Sequence, residues 1–191
     1  MRKKVRIFST LVSLALVLAV MCVGIWAASK AEIGSTATLS FNPTDVNATV
    51  AFADGGGDKT VSFFSDAQKQ TALTTLSYDE NDTDDVNDTF YMEFAPLNRT
   101  SQTWVFTVTV TNDFATGSSI TIDSKLSATV SQNSNFSVDI KVGTQTAENT
   151  EVVSVGTPLV YTITISINDG APINSFSDTL TFSLELTQTA A

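Results

Sequence analysis

From about residue 33 onward, apolar and polar side chains alternate at period two along most of the chain. Trp104, Phe106, Val108 and Val110 interleave with Val105, Thr107, Thr109 and Thr111. Phe136, Val138, Ile140 and Val142 interleave with Ser137, Asp139 and Lys141. Tyr161, Ile163, Ile165 and Ile167 do the same with Thr162, Thr164 and Ser166, and Leu180, Phe182, Leu184 and Leu186 with Thr181, Ser183, Glu185 and Thr187. Successive side chains of a strand point to opposite faces, so each run has one apolar and one wet face. Val, Ile, Phe and Thr also suit a pleated surface.

The pattern predicts about a dozen strands, over 33–41, 46–53, 59–64, 71–78, 89–95, 103–112, 118–123, 126–132, 135–142, 151–155, 158–168 and 177–187. Asp54-Gly55-Gly56-Gly57-Asp58, the stretch from Asn112 to Ser118, Gln132-Asn133-Ser134-Asn135 and Asn168-Asp169-Gly170 read as hairpin turns. Only 65–73 leaves room for a helical turn. Many short one-sided strands imply an all-β fold, an antiparallel two-sheet β-sandwich of jelly-roll or Ig-like type. A closed barrel is the alternative. Residues 30–191 are expected to share one core, with no linker or repeat dividing them.

The first 29 residues break the pattern. Arg2, Lys3, Lys4 and Arg6 precede an apolar run over 7–26, and small residues follow at Ala27, Ala28 and Ser29. Basic, apolar, small is the order of a secretory signal peptide. Cleavage after Ser29 puts Ala27 at the minus-three position. An uncleaved anchor is the alternative, because about 20 apolar residues also span a bilayer. Cys22 is the only cysteine. Met21 is too large to precede a lipidated cysteine, so Cys22 reads as part of the apolar run.

The chain carries 10 Lys/Arg against 20 Asp/Glu. Without the leader, six basic side chains face all twenty acids, a net charge of −14. Such a surface repels phosphate backbones and anionic membranes, which argues against nucleic acid as a partner. Histidine is absent. That removes the usual general base, the serine and cysteine triads and the commonest metal ligand. After the leader there is no thiol for nucleophilic chemistry, disulfides or a zinc site. No phosphate-binding loop is visible, since Gly55-Gly56-Gly57 lacks a following Lys-Ser/Thr and helix. Paired carboxylates, as in glycoside hydrolysis, are the one enzymatic device left. The acids sit mostly in turns, and the expectation is a protein that is not an enzyme.

The acidic run from Asp79 to Asp88 holds six carboxylates and two carboxamides. Crowded hard oxygens suit calcium. Asp79, Asn81, Asp82, Asp84, Asp85 and Asp88 are the candidate ligands. The turn glycine and distal Glu of a calcium loop are missing, and a solvated acidic connection is the plainer reading. Asn-x-Ser/Thr triplets at Asn47, Asn81, Asn87, Asn98 and Asn135 are what chance supplies in a chain rich in these residues. The aromatics Phe63, Phe64, Phe90, Tyr91, Phe94, Trp104, Phe106 and Phe182 read as core. Tyr78, Tyr91 and Trp104 are the candidates for an exposed sugar platform.

Two stretches carry a family resemblance. Met1-Arg2-Lys3-Lys4 through Ala27-Ala28-Ser29 resembles the leaders of the TasA/camelysin group of secreted bacterial matrix and fibre proteins. Ala95-Pro96-Leu97 through Trp104 to Asn112, followed by Ser119-Ile120-Thr121-Ile122, resembles that group's strand and turn. Ser29-Lys30-Ala31-Glu32 stands where the group has an aromatic-rich segment, and Pro96-Leu97-Asn98 where it has Pro-Gly. The resemblance implies a jelly-roll subunit that polymerises by donating its N-terminal segment to a neighbour. Residues 33–41 fit that role, because Ile33, Ala37, Leu39 and Phe41 alternate with small and hydroxyl residues. The same alternation suits the first strand of its own sandwich. The chain as a whole reads as an exported structural or adhesive protein of the cell surface or extracellular matrix, including biofilm. Its partners would be copies of itself, other surface proteins or glycans, with membrane contact only through 7–26 if uncleaved. A calcium-assisted carbohydrate- or protein-binding module is the alternative.

Overall fold

Period-two alternation becomes strands throughout the computed structural model, which describes residues 34–44, 46–79, 88–97, 102–131, 135–169, 171 and 177–189. In chain order these are β1 (Gly34–Thr44), β2 (Ala48–Asp54), β3 (Val61–Phe64), β4 (Thr75–Tyr78), β5 (Asp88–Phe94) and β6 (Thr103–Asn112). Then come β7 (Thr121–Val130), β8 (Phe136–Val142), β9 (Gln145–Thr146), β10 (Glu151–Val153), β11 (Leu159–Ile167) and β12 (Ser177–Thr189). Residues 1–29, where the sequence leads one to expect a leader, lie outside the described residues.

Two six-stranded sheets form, in the orders β10-β7-β12-β1-β5-β3 and β4-β2-β6-β11-β8-β9. The described strand pairs are antiparallel except β1 with β12. The sheets pack face to face as a β-sandwich. β6 shows the cause most simply, with Trp104, Phe106, Val108 and Val110 buried on one face. Phe106 meets Phe182 of the facing sheet edge-on, ring centroids 5.3 Å apart. Phe63 bridges Phe52 at 5.4 Å and Phe106 at 5.6 Å. Edge-to-face aromatic pairs of this kind add about 0.5–1.5 kcal/mol beyond burial. Trp104 packs on Phe94 and Phe136, and its Nε1–H donates to Ala95 O at 2.7 Å.

Several expectations need correction. Among the described pairs only β8 and β9 are consecutive in the chain, so the remaining connections cross between sheets. The Asp54–Asp58 run is therefore no hairpin. It leaves β2 in one sheet, runs along β6, and enters β3 in the other. Gly55 N–H donates to Val105 O and Asp58 N–H to Thr103 O, and the Asp58 carboxylate accepts from Thr103 N–H. Local turn chemistry marks where a strand ends, but a one-sided strand can continue in either sheet. Similarly, Asn112–Ser118 leads from β6 to β7 across the sandwich.

The strands expected at 118–123 and 126–132 are one strand, β7, which pairs without interruption with β12 from Thr121 to Val130. Ser124 caused the apparent break: a hydroxyl stands where the apolar face calls for a hydrophobe, and it is fully buried. Residues 65–73 hold no helix. Asp66 closes a turn there, accepting from Gln70 N–H and Thr71 N–H, with Lys69 at φ 56°. Phe64 and Tyr91 are not core side chains. They pair across β3 and β5, half-buried on the outer face.

Candidate functional site

β1 is the element whose position departs most from ordinary antiparallel pairing. Ala37 and Leu39 point into the core and are buried, while Thr38 and Ser40 lie on the outer face. One edge pairs in parallel with β12, from Gly34 opposite Ser177 to Thr44 opposite Thr187. The other pairs antiparallel with β5, from Thr36 opposite Glu93 to Phe41 opposite Asp88. β1 thus lies inside its sheet rather than on an edge. Its link to β2 is short, over residues 45–47. The parallel contact with β12 was not legible in the sequence, since alternation looks the same in either strand direction.

The two flanks of the sandwich differ. On one, the 65–73 connection covers β3, with Leu73 N–H donating to Phe63 O and Ser65 N–H to Thr71 O. The Asp66 carboxyl that shapes this connection is held below the usual carboxylate range, first by the Gln70 amide and then by that of Thr71. On the other flank, β10 pairs with β7 only over Ile122–Ser124, and β9 with β8 only at Lys141 and Val142.

A buried polar contact joins the sheets. The Tyr161 hydroxyl donates toward Ser124 O and meets Ser124 Oγ, both at 3.0 Å. Burial pushes the Tyr161 phenol up to about 12; the Glu151 carboxylate adds to this and the Ser124 hydroxyl opposes it. The sequence held one clue, the lone serine in the apolar face of β7.

A hollow of about 570 Å³ opens at the end of the sandwich, lined by Asn112, Asp113, Phe114, Ser118, Ile120 and Ser154 among others. Its buried Asn112 is fully engaged. Nδ2 donates to Ile120 O and Val153 O, and Oδ1 accepts from Phe114 N–H. This amide braces the chain rather than facing a ligand.

The acidic run links β4 to β5 and so joins the two sheets. Asp79 follows β4 directly and Asp88 opens β5, while Asn81, Asp82, Asp84 and Asp85 lie outside the described residues. Among the described residues no three His, Cys, Asp or Glu side chains group as a metal site. Trp104 is fully buried, which removes it as a sugar platform; Tyr78 and Tyr91 are half-buried. Asn135 is buried and closed to glycosylation in the folded chain, and Asn81, Asn87 and Asn98 lie outside the described residues. Among the described residues no helix is long and apolar enough to cross a membrane. No family model matches the chain, and no curated protein matches it.

Proposed function

We propose that this chain is an exported, non-catalytic structural subunit of a cell surface or extracellular matrix, assembling by exchange of β1 between copies. The observation that carries the reading is the parallel seat of β1 between β5 and β12. Strands β5 to β12 by themselves follow jelly-roll connectivity. β6-β11-β8-β9 make one sheet, and β5, β12, β7 and β10 make the other, with β1 inserted between β5 and β12. Taking β1 out leaves a slot about two strand spacings wide, roughly 9.6 Å. Both walls of that slot carry unpaired backbone groups, and its floor lacks Ala37 and Leu39. A second copy's β1 fills it with the same bonds and the same side chains, the defining feature of strand addition and swapping. β1 precedes the other described strands and is joined to them in sequence through 45–47, so its exchange asks only this one connection to swing out.

Negative-stain electron microscopy of the chain with and without residues 30–44 tests this. The intact chain forms fibres or chains of subunits. The truncated chain does not, and a synthetic peptide of residues 34–44 binds it and raises its melting temperature. Monomers of the intact chain under every condition would sink the reading.

A further inference from the structure

The uncovered flank carries a second inference, independent of β1 exchange. β10 ends opposite Ser124, so among the described residues β7 has no neighbour on that side from Lys125 to Val130. Ser131 N–H donates to Thr179 O, and the β7–β12 register is unbroken. Alternation then turns the backbone N–H and C=O of Leu126, Ala128 and Val130 away from β12. Among the described residues no group pairs with them.

The other edges are poorer places for a second copy of so acidic a chain. β4 runs directly into the acidic stretch 79–88, β8 carries Asp139, and β10 begins at Glu151. β3 is covered by residues 71–73, and β9 has two residues. Between Ser124 and Ser131, β7 contains no carboxylate, and its one charge, Lys125, is paired with Glu185 at 3.2 Å. With a net charge of −10, two copies repel at most approaches, and least along this edge.

The edge is also complementary to itself. In an antiparallel pairing centred on Ala128, Leu126 meets the second copy's Val130, and Ala128 meets its own counterpart. All the outward-facing backbone groups then match, giving about six hydrogen bonds, two per closely spaced pair. Lys125 falls opposite Ser131 and Ser127 opposite Thr129, so no like charges meet. The pairing ends before Ser124, where β10 takes over. We propose that β7 is a homotypic docking edge, joining two copies through a two-fold axis at Ala128 into one continuous sheet. An unprotected edge strand is a template for such pairing.

Sedimentation equilibrium of the full chain from micromolar to millimolar concentration tests it. Ser127 and Thr129 are exposed, so changing them leaves the core intact. The unmodified chain dimerises. The double variant S127E/T129E sets carboxylates opposite one another and weakens the dimer by about tenfold or more. The S127K/T129K variant is weakened in the same way, and mixing the two variants restores a one-to-one dimer. A melting curve of each variant confirms that it is folded. An unmodified chain that stays monomeric throughout, or a dimer insensitive to both double variants, overturns the proposal. β1 remains in its own sheet in this dimer and residues 127 and 129 lie outside it, so the double variants remove this pairing while leaving β1 exchange available, which separates the two modes of association.

Discussion

A Cβ added to Gly57 would lie 2.6 Å from Val105 N and 2.9 Å from Thr103 O. At Gly55 it would lie 2.7 Å from Val105 Cγ1 and 3.0 Å from backbone atoms. These glycines let the crossing segment lie flat on β6. Gly57→Ala is expected to force the two backbones apart and cost about 1–3 kcal/mol, read as a lower urea midpoint with an unchanged slope. Tyr161 sets a second expectation. Tyr161→Phe takes this partner from the fully buried Ser124 hydroxyl, while the Ser124 carbonyl keeps its place in the β7–β10 ladder, and costs about 1–3 kcal/mol in the same measurement. The phenol titrates higher in the fold than in the unfolded chain, so the neutral form stabilises the fold. That stability is complete below the unfolded value, about 10, and is lost as pH rises toward about 12. Alkaline melts should therefore fall over this window in the parent chain and less steeply in Tyr161→Phe.

At the scale of elements, β1 and the 65–73 connection are the tests. Leu39 is almost fully buried between the sheets, and Leu39→Ala is expected to cost about 2–5 kcal/mol. If β1 is exchanged between copies as proposed, the same side chain fills the slot of the neighbour, and fibre formation should weaken with stability. Asp66 holds the covering segment by its hydrogen bonds to Gln70 and Thr71. Its folded carboxyl titrates below the ordinary value, so its contribution is present above about 3.9 and lost as pH falls through the lower folded value. Protection of the Gln70 and Thr71 amides, measured against their intrinsic exchange rates at each pH, should fall on acidification, and at neutral pH in Asp66→Ala. Equal protection in parent and variant would refute the role assigned to this carboxylate.

For the whole molecule, charge decides how copies meet. Twenty acids against ten bases make most approaches between copies repulsive at low salt. Added salt screens this over a Debye length of about 10 Å at 0.1 M. Association should therefore strengthen from low to moderate ionic strength, the opposite of assembly driven by ion pairs. Light scattering across a salt series distinguishes the two. Calcium enters at this scale as well. If the acidic run 79–88 holds the ion, a hundredfold excess over the dissociation constant stabilises the fold by about 2.7 kcal/mol. A melting temperature that ignores millimolar calcium assigns those acids to solvent.

The alternation along Trp104–Val110, Tyr161–Ile167 and Leu180–Leu186 was enough to specify strands and their buried faces, because a two-residue period leaves no other consistent assignment. Composition likewise ruled out histidine and, beyond Cys22, thiol chemistry. The partners of those strands were another matter. An amphipathic strand pairs equally well in either sheet and in either direction, so the sheet-to-sheet crossings and the parallel seat of β1 emerge only when all inward faces must fill one core together. The same holds for Ser124, whose hydroxyl looks like a break in a strand until Tyr161 arrives from the facing sheet. Local side-chain period is a property of the chain; which edge remains open is a property of the packed whole.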